Sequence, residues 1–226
     1  MKPKKLKGTR PGLRFLPHSV VEKLAQREGS LDEEPKQLNC TIMFCDLVNF
    51  VAQTYTLKAE KMGQILNLYF QTMTDIVFEE GGTIDKFMGD GICIIFGAPE
   101  PMPAEEQASR AARAAIRMLE ALDELNRIWT QQSLPAFEMR IGIDRGDVVV
   151  GWFGAKTRKD FTAIGVSVNI ASRLQSQCRP GTILVTEPMA RTLPSGSASS
   201  IGLSHIRGGD HQVELFELRK ALAVAL

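Results

Sequence analysis

Two long segments of the chain carry apolar residues at helical spacing. Residues 57–79 and 104–129 both place apolar side chains three and four positions apart, which puts those side chains on one face of an α-helix. The two predicted apolar stripes are Met62, Leu66, Tyr69, Met73 and Ile76, and Ala108, Ala112, Ala115, Leu119 and Leu122. Arg110, Arg113 and Arg117 lie off the second stripe, so we expect them to form a solvated flank of that helix.

Shorter apolar runs between the helices predict β-strands. Residues 41–45 read as a buried strand. Residues 83–96 read as two strands joined by a tight turn at residues 88–91, which contains two glycines and is typical of a β-hairpin.

The second half of the chain predicts another hairpin and a further helix. Residues 137–143 and 148–152 read as two strands that turn at residues 144–147. A short strand at 161–164 then leads into a helix from about 167 to 177. The remaining predicted elements are strands at 182–185, 201–207 and 213–217 and a short helix near 187–192.

The order of these elements is β-α-β-β-α-β with later additions. It predicts an α+β fold of the ferredoxin-like (βαββαβ) type, an antiparallel sheet with helices on one face and extra C-terminal strands. We expect residues 39–220 to form this domain. Residues 1–38 comprise a basic lead, a short helix opened by a capping box at residues 19–22 and a polar linker. They are interpreted either as a transmitter or dimer-contact segment or as a loose terminus.

Composition limits the classes of function. The chain has 226 residues, 44% of them hydrophobic, which is enough to bury one good core. A net charge of +1 and only two tyrosines argue against a nucleic-acid partner. No run approaches the roughly 18 apolar residues of a membrane span, and the Lys-rich start lacks the apolar core of a signal peptide. We expect a cytoplasmic domain, and a regulatory or membrane domain upstream in a longer parent protein stays open.

The four cysteines show no C-x-x-C spacing, and three of them fall in strand-like apolar runs. They are therefore expected to be reduced, buried thiols.

Two acidic residues follow buried strands and suggest a metal site. Asp46 ends the strand at residues 41–45, and Asp90 lies at the tip of the first hairpin, which also carries Lys86. If the two strands are neighbours, the carboxylates converge and form an oxygen-ligand site for Mg²⁺ or Mn²⁺, with substrate phosphates completing the shell. The alternative is that each acid caps an adjacent element.

Another pair of polar residues lies on the helix at 167–177. Asn169 and Arg173 are four positions apart, so both project from one face. An amide can hold a ribose, and a guanidinium matches the geometry of a polyphosphate. The alternative is an ordinary surface pair on an amphipathic helix.

Taken together, four motifs in this order resemble the catalytic domain of class III nucleotidyl cyclases, the adenylate and guanylate cyclases. The resemblance covers roughly residues 39–217. The segments that carry it are residues 44–50 (FCDLVNF), 85–90 (DKFMGD) with 96–99 (FGAP), 142–151 (GIDRGDVVVG) and 161–174 (FTAIGVSVNIASRL).

The resemblance implies roles for individual residues. Asp46 and Asp90 would hold two divalent cations, Mg²⁺ or Mn²⁺, with the backbone carbonyl of Leu47 as a further ligand. Asn169 would orient the ribose, and Arg173 would stabilise charge on the phosphates in the transition state. Near the C-terminus, Arg207 corresponds to a basic phosphate contact of the family.

The resemblance also makes Lys86 and Thr162 the pair that reads the base. Adenine presents an acceptor at N1 and a donor at N6, which suit an ammonium donor and a hydroxyl acceptor, whereas guanine reverses both groups. Guanylate cyclases of the family typically carry an acid where Lys86 stands. The expected substrate is therefore ATP, and the expected products are 3′,5′-cyclic AMP and pyrophosphate.

A head-to-tail homodimer is implied as well, with active sites at the interface. One protomer would give Asp46 and Asp90, and its partner would give Lys86, Thr162 and the remaining contacts. The competing interpretations are a guanylate cyclase and a non-catalytic cyclase-like scaffold. The sequence does not specify what regulates the enzyme.

Overall fold

The computed structural model describes residues 34–55, 57–155, 157–205 and 212–219. Eight strands form the sheet: β1 (Lys36–Leu47), β2 (Thr83–Met88), β3 (Gly91–Phe96), β4 (Met139–Ala155), β5 (Arg158–Ile164), β6 (Ile183–Thr186), β7 (Ala198–His205) and β8 (Gln212–Leu218). The described residues also contain five helices: α1 (Phe50–Thr54), α2 (Ala59–Glu79), α3 (Ala104–Gln131), α4 (Val166–Gln177) and α5 (Glu187–Thr192).

The eight strands belong to one sheet whose main order is β2-β3-β1-β4-β6-β8-β7, with β5 paired to β4. All pairings are antiparallel except that of β4 with β6. The α+β class and the mostly antiparallel sheet are therefore confirmed. The first hairpin is also confirmed, because β2 and β3 pair across a two-residue turn at Gly89 and Asp90.

The helices lie on both faces of the sheet rather than on one. Met43 and Cys45 of β1 face the larger core, which contains the apolar stripes of α2 and α3. Ile42 and Phe44 point to the opposite face, where Ala171 of α4 packs against them. The expectation of helices on a single face is corrected at α4, since alternate residues of a strand point to opposite sides.

The second predicted hairpin is wrong. Residues 144–147 do not turn but continue β4, and Asp144 pairs with Ile42 of β1. Asp144 is buried, and its carboxylate accepts a hydrogen bond from the Thr186 hydroxyl. At Gly146 a Cβ would lie 2.3 Å from Ser167 Oγ, so this glycine serves close packing and not a turn.

The arginines of α3 do more than flank the helix. Arg113 and Arg117 donate hydrogen bonds to the Glu80 carboxylate, at 3.1 and 2.9 Å, and Arg110 donates to the Glu80 backbone oxygen at 3.3 Å. Glu80 directly follows α2, so these contacts hold the end of α2 against α3. The four cysteines are free and buried, as expected.

Several expectations from the sequence concern residues outside the described ranges. The short helix from residue 19 and the phosphate contact Arg207 are among them. Within the described ranges, no helix combines the length and the apolar character needed to cross a bilayer.

Close contact between α4 and β4 depends on Gly142. A Cβ at this position would lie 2.2 Å from the Gln175 backbone nitrogen and 2.5 Å from the Ala171 carbonyl oxygen. These are backbone atoms of α4 and cannot move aside alone. Because α4 also carries Asn169 and Arg173, the missing side chain at Gly142 sets the position of both.

We predict that Gly142→Ala lowers the free energy of unfolding by at least about 2 kcal/mol, because overpacking forces α4 away from the sheet. Urea denaturation followed by circular dichroism, at one fixed protein concentration, measures the change.

Gly63→Ala is the matched control. Gly63 lies within α2, and a Cβ added there would meet nothing within 4 Å, so alanine should raise the free energy of unfolding by about 0.8 kcal/mol. Equal stability of the two variants would contradict the packing role of Gly142.

Candidate active site

Asp46 and Asp90 come together where β1 meets the first hairpin. β1 and β3 are antiparallel neighbours with Cys45 opposite Ile92, so the end of β1 lies beside the β2–β3 turn. The Leu47 backbone amide donates to Asp90 Oδ2 at 3.0 Å. Burial raises the pKa of Asp90 above its ordinary value, and the nearby charge of Asp46 adds to this effect. The two carboxylates are therefore close enough to repel each other.

Arg140 completes this group, and sequence reasoning missed it. It lies directly opposite Asp46 in the β1–β4 pairing. Its Nε and one terminal nitrogen donate to the two oxygens of Asp46, at 2.7 and 2.9 Å, and the other terminal nitrogen donates to the Ser176 carbonyl at 3.1 Å. The hydrogen bonds to Asp46 raise the pKa of Arg140. A charged residue between apolar Met139 and Ile141 was the available signal in the sequence.

The donor chemistry of the Asp46–Asp90 pair fits a hard divalent cation, since carboxylate oxygens are the ligands that Mg²⁺ and Mn²⁺ prefer. In the described residues, no three His, Cys, Asp or Glu side chains converge on one point. A cation bound here would complete its shell with other oxygen ligands, such as water or substrate phosphates. For Leu47 the structure gives a contact of the backbone amide; its carbonyl as a ligand stays a prediction.

Lys86 and Thr162 meet in a second group, although they are 76 positions apart in sequence. Lys86 Nζ donates to Thr162 Oγ1 at 3.1 Å. The Thr162 hydroxyl in turn donates to Asp85 Oδ2 at 2.7 Å. Burial raises the pKa of Asp85, whereas the hydrogen bond from Thr162 and the charge of Lys86 oppose that shift. Asp85 is a second residue that sequence reasoning missed as part of the site.

Asn169 and Arg173 project from α4 as the spacing predicted. Asn169 is exposed and Arg173 is partly buried, whereas Ala171 and Leu174 of the same helix face the sheet. Neither polar side chain makes a hydrogen bond or ion pair with another described residue.

The two groups do not merge into one site within a single chain. Between described residues, no hydrogen bond or ion pair joins the Asp46–Asp90–Arg140 group to the Lys86–Thr162–Asp85 group. Each group contains an acidic side chain paired with a basic one: Arg140 lies 2.7 Å from Asp46, and Lys86 lies 3.6 Å from Asp85.

Comparison with known proteins assigns the chain to a family. The sequence model described as the adenylate and guanylate cyclase catalytic domain matches residues 33–220. An adenylate cyclase of Anabaena cylindrica is 31% identical over 218 residues, which is 91% of this chain and 42% of that protein. Adenylate cyclase 1 of Rhizobium meliloti is 32% identical over 173 residues, which is 73% of this chain and 26% of that protein. The chain thus spans less than half the length of these relatives.

Solved structures agree with the sequence comparisons. The adenylyl cyclase CyaB of P. aeruginosa superposes with a TM-score of 0.81 at 33% identity, covering 83% of this chain and 96% of that one. The guanylyl cyclase Cya2 gives a TM-score of 0.76 at 32% identity, covering 82% of this chain and 94% of that one. The nucleotide preference therefore does not follow from overall similarity. The chain belongs to the adenylate and guanylate cyclase catalytic domain family, the class III nucleotidyl cyclases.

Proposed function

We propose that this domain is an adenylate cyclase, which converts ATP to 3′,5′-cyclic AMP and pyrophosphate at two equivalent sites between two copies of the chain. The observation that carries the choice of ATP is the hydrogen bond between Lys86 and Thr162. It joins an ammonium donor to a hydroxyl that can accept, the combination that complements N1 and N6 of adenine. Against guanine, both groups would face a partner of the wrong kind.

In this proposal Asp46 and Asp90 hold divalent cations, whose use is general in the family. Bound there, the cations would polarise the ribose 3′-hydroxyl and neutralise the triphosphate. Asn169 holds the ribose, and Arg173 stabilises the charge that gathers on the phosphates as pyrophosphate leaves. Leu47 and Arg207 keep their proposed roles as a carbonyl ligand and a phosphate contact.

The proposal adds Arg140 to this set. Arg140 would give up its hydrogen bonds to Asp46 if that carboxylate held a cation, and its guanidinium would then be available to phosphates bound beside it. A guanidinium keeps its charge there and offers a planar pair of donors to phosphate oxygens.

The dimer is supported by the separation of the two groups. A single chain holds every required side chain, but among the described residues no hydrogen bond or ion pair joins the carboxylate group to the base-reading group. Two copies related by a twofold axis bring the carboxylate group of each protomer to the base-reading group of the other. Lys86 and Asp90, four residues apart, then serve opposite sites.

A guanylate cyclase is the second candidate, because Cya2 is as similar in sequence as CyaB. The Lys86–Thr162 contact disfavours it. A non-catalytic scaffold is disfavoured because Asp46, Asp90, Asn169 and Arg173 are all retained.

The first prediction concerns the substrate. Purified protein with Mn²⁺ should form cyclic AMP, with kcat/KM for ATP at least about 100-fold above that for GTP, since the hydrogen-bonding groups of Lys86 and Thr162 both mismatch guanine. Cyclic nucleotide is quantified by mass spectrometry. Activity with GTP but not ATP would refute the proposed base contacts.

The second prediction concerns the shared site. Asp90→Ala and Arg173→Ala should each be inactive, yet an equal mixture should regain about a quarter of wild-type activity, because half of the dimers are mixed and each has one intact site. Mixing Asp90→Ala with Asp46→Ala is the matched control and should restore no activity. Both changes damage the carboxylate half of the shared site, so every site in a mixed dimer stays defective. Failure of the first mixture, or success of the second, would argue against the dimer.

The third prediction concerns Arg140. In nucleotide-free protein, Arg140→Gln should tighten Mn²⁺ binding by about 10-fold, because a charge-assisted pair no longer competes for Asp46. Electron paramagnetic resonance of free Mn²⁺ measures the affinity. Arg179→Gln, which removes an exposed partner of Glu217, is the control and should leave the affinity unchanged. Unchanged or weaker Mn²⁺ binding by the Arg140 variant would contradict the competition.

A further inference from the structure

The Thr162 hydroxyl alone cannot distinguish adenine from guanine. A hydroxyl has one proton to donate and two lone pairs that accept, and it rotates to suit its partner. It could accept from the N6 amino group of adenine, but it could equally donate to the O6 oxygen of guanine. Discrimination at position 6 of the purine therefore requires something that fixes the direction of the hydroxyl proton.

Asp85 is positioned to fix the direction of the Thr162 hydroxyl proton. Its side chain is only 2% exposed. Asp85 Oδ2 faces three donors: the Thr162 hydroxyl at 2.7 Å, Lys86 Nζ at 3.6 Å and the Cys93 thiol at 3.6 Å. Asp85 Oδ1 is buried and has no hydrogen-bond partner among the described residues.

This geometry settles which atom accepts. The Lys86 ammonium, 3.6 Å from Oδ2, has no lone pair and favours an unprotonated oxygen there, so Oδ2 accepts whether the carboxyl is ionised or carries its proton on Oδ1. The other acceptor within reach of the Thr162 proton is the Ala163 carbonyl, at 3.5 Å, which is much farther than Oδ2. Lys86 already donates to the Thr162 oxygen at 3.1 Å, and an ammonium has no lone pair to offer.

We propose that Asp85 accepts the hydrogen bond from the Thr162 hydroxyl, so that the Thr162 oxygen acts only as an acceptor toward the base. Asp85 is thereby a specificity-determining residue for purines with a 6-amino group. The inference rests on the proposed function, because it concerns the same base-reading group. Asp85 is a positioning residue: it acts through Thr162 and does not itself touch the base. Lys86 donates to one lone pair of the Thr162 oxygen. With adenine bound, the N6 amino group would donate to that lone pair, and Lys86 would donate to N1.

A purely structural role for Asp85 makes different predictions. The carboxylate also links β2 to β5 through Thr162, so its removal would cost stability in either case. A structural role would lower activity with all nucleotides alike. If Asp85 fixes the direction of the Thr162 proton, its removal changes the ratio of kcat/KM between nucleotides.

The test compares ATP with inosine triphosphate, which has the 6-oxo group of guanine but lacks its 2-amino group. Asp85→Leu removes the acceptor at similar size, and Asp85→Ala removes it without adding bulk. In both, Thr162 is free to donate to O6, so the ratio of kcat/KM for ATP over inosine triphosphate should fall by about 10-fold. Asp85→Asn keeps an acceptor oxygen opposite the three donors and should stay within about threefold of wild type.

Thr162→Val supplies the coupling test. It should itself lower the ratio, and adding Asp85→Leu in this background should produce no further change, because Asp85 acts only through the hydroxyl. Asp144→Leu is the matched control, since Asp144 is another buried carboxylate that accepts from a threonine hydroxyl. It should leave the ratio unchanged, whatever it does to stability.

Three outcomes would overturn the inference: an unchanged ratio in the acceptor-free variants, a loss in Asp85→Asn as large as in Asp85→Leu, or an unchanged ratio in Thr162→Val. The same comparison is made by calorimetry with 3′-deoxy-ATP and 3′-deoxyinosine triphosphate, which bind but cannot cyclise. If the wild type forms no cyclic nucleotide, the proposed function fails, while the binding ratio still tests Asp85.

Discussion

The pairing of β1 with β3 on one side and β4 on the other is the constraint on which the site depends. It sets Asp46 opposite Arg140 and brings the end of β1 beside Asp90. Two carboxylates held this close repel each other, and burial raises the pKa of Asp90. Arg140 offsets that repulsion through its ion pair with Asp46. In the proposed function, the sheet would present the two carboxylates to a cation without reorganising the backbone.

In both groups of the site, the polar side chains pair with one another. Arg140 occupies both oxygens of Asp46, and Lys86 occupies the oxygen of Thr162. In the proposed function, cations and nucleotide would replace these internal contacts with their own, so binding would exchange interactions and leave few buried charges unpaired. A ligand of the wrong hydrogen-bonding pattern would not complete this exchange, and the internal contacts would then contribute to selectivity.

Much of this arrangement could be predicted from the sequence, because it depends on local patterns. Apolar stripes predicted α2 and α3, and the glycine turn predicted the hairpin with Asp90 at its tip. Arg140 and Asp85 escaped prediction because their partners are set by strand register and by the approach of β2 to β5. Residues 144–147 have the polar, glycine-containing composition of a turn, and a turn was therefore predicted there. Burial of Asp144 and packing at Gly146 instead keep them in β4. The position of α4 on the second face follows from Gly142, which only a three-dimensional contact reveals.

The central claim is that one nucleotide is held by two copies of the chain, with the carboxylates on one side and the base-reading pair on the other. A crystal structure with 3′-deoxy-ATP and Mn²⁺ tests it most directly. The account predicts phosphates and metal at Asp46 and Asp90 of one protomer, with adenine N6 within hydrogen-bond distance of Thr162 of the partner subunit. A nucleotide bound wholly within one protomer, or an adenine ring remote from Lys86 and Thr162, would contradict it.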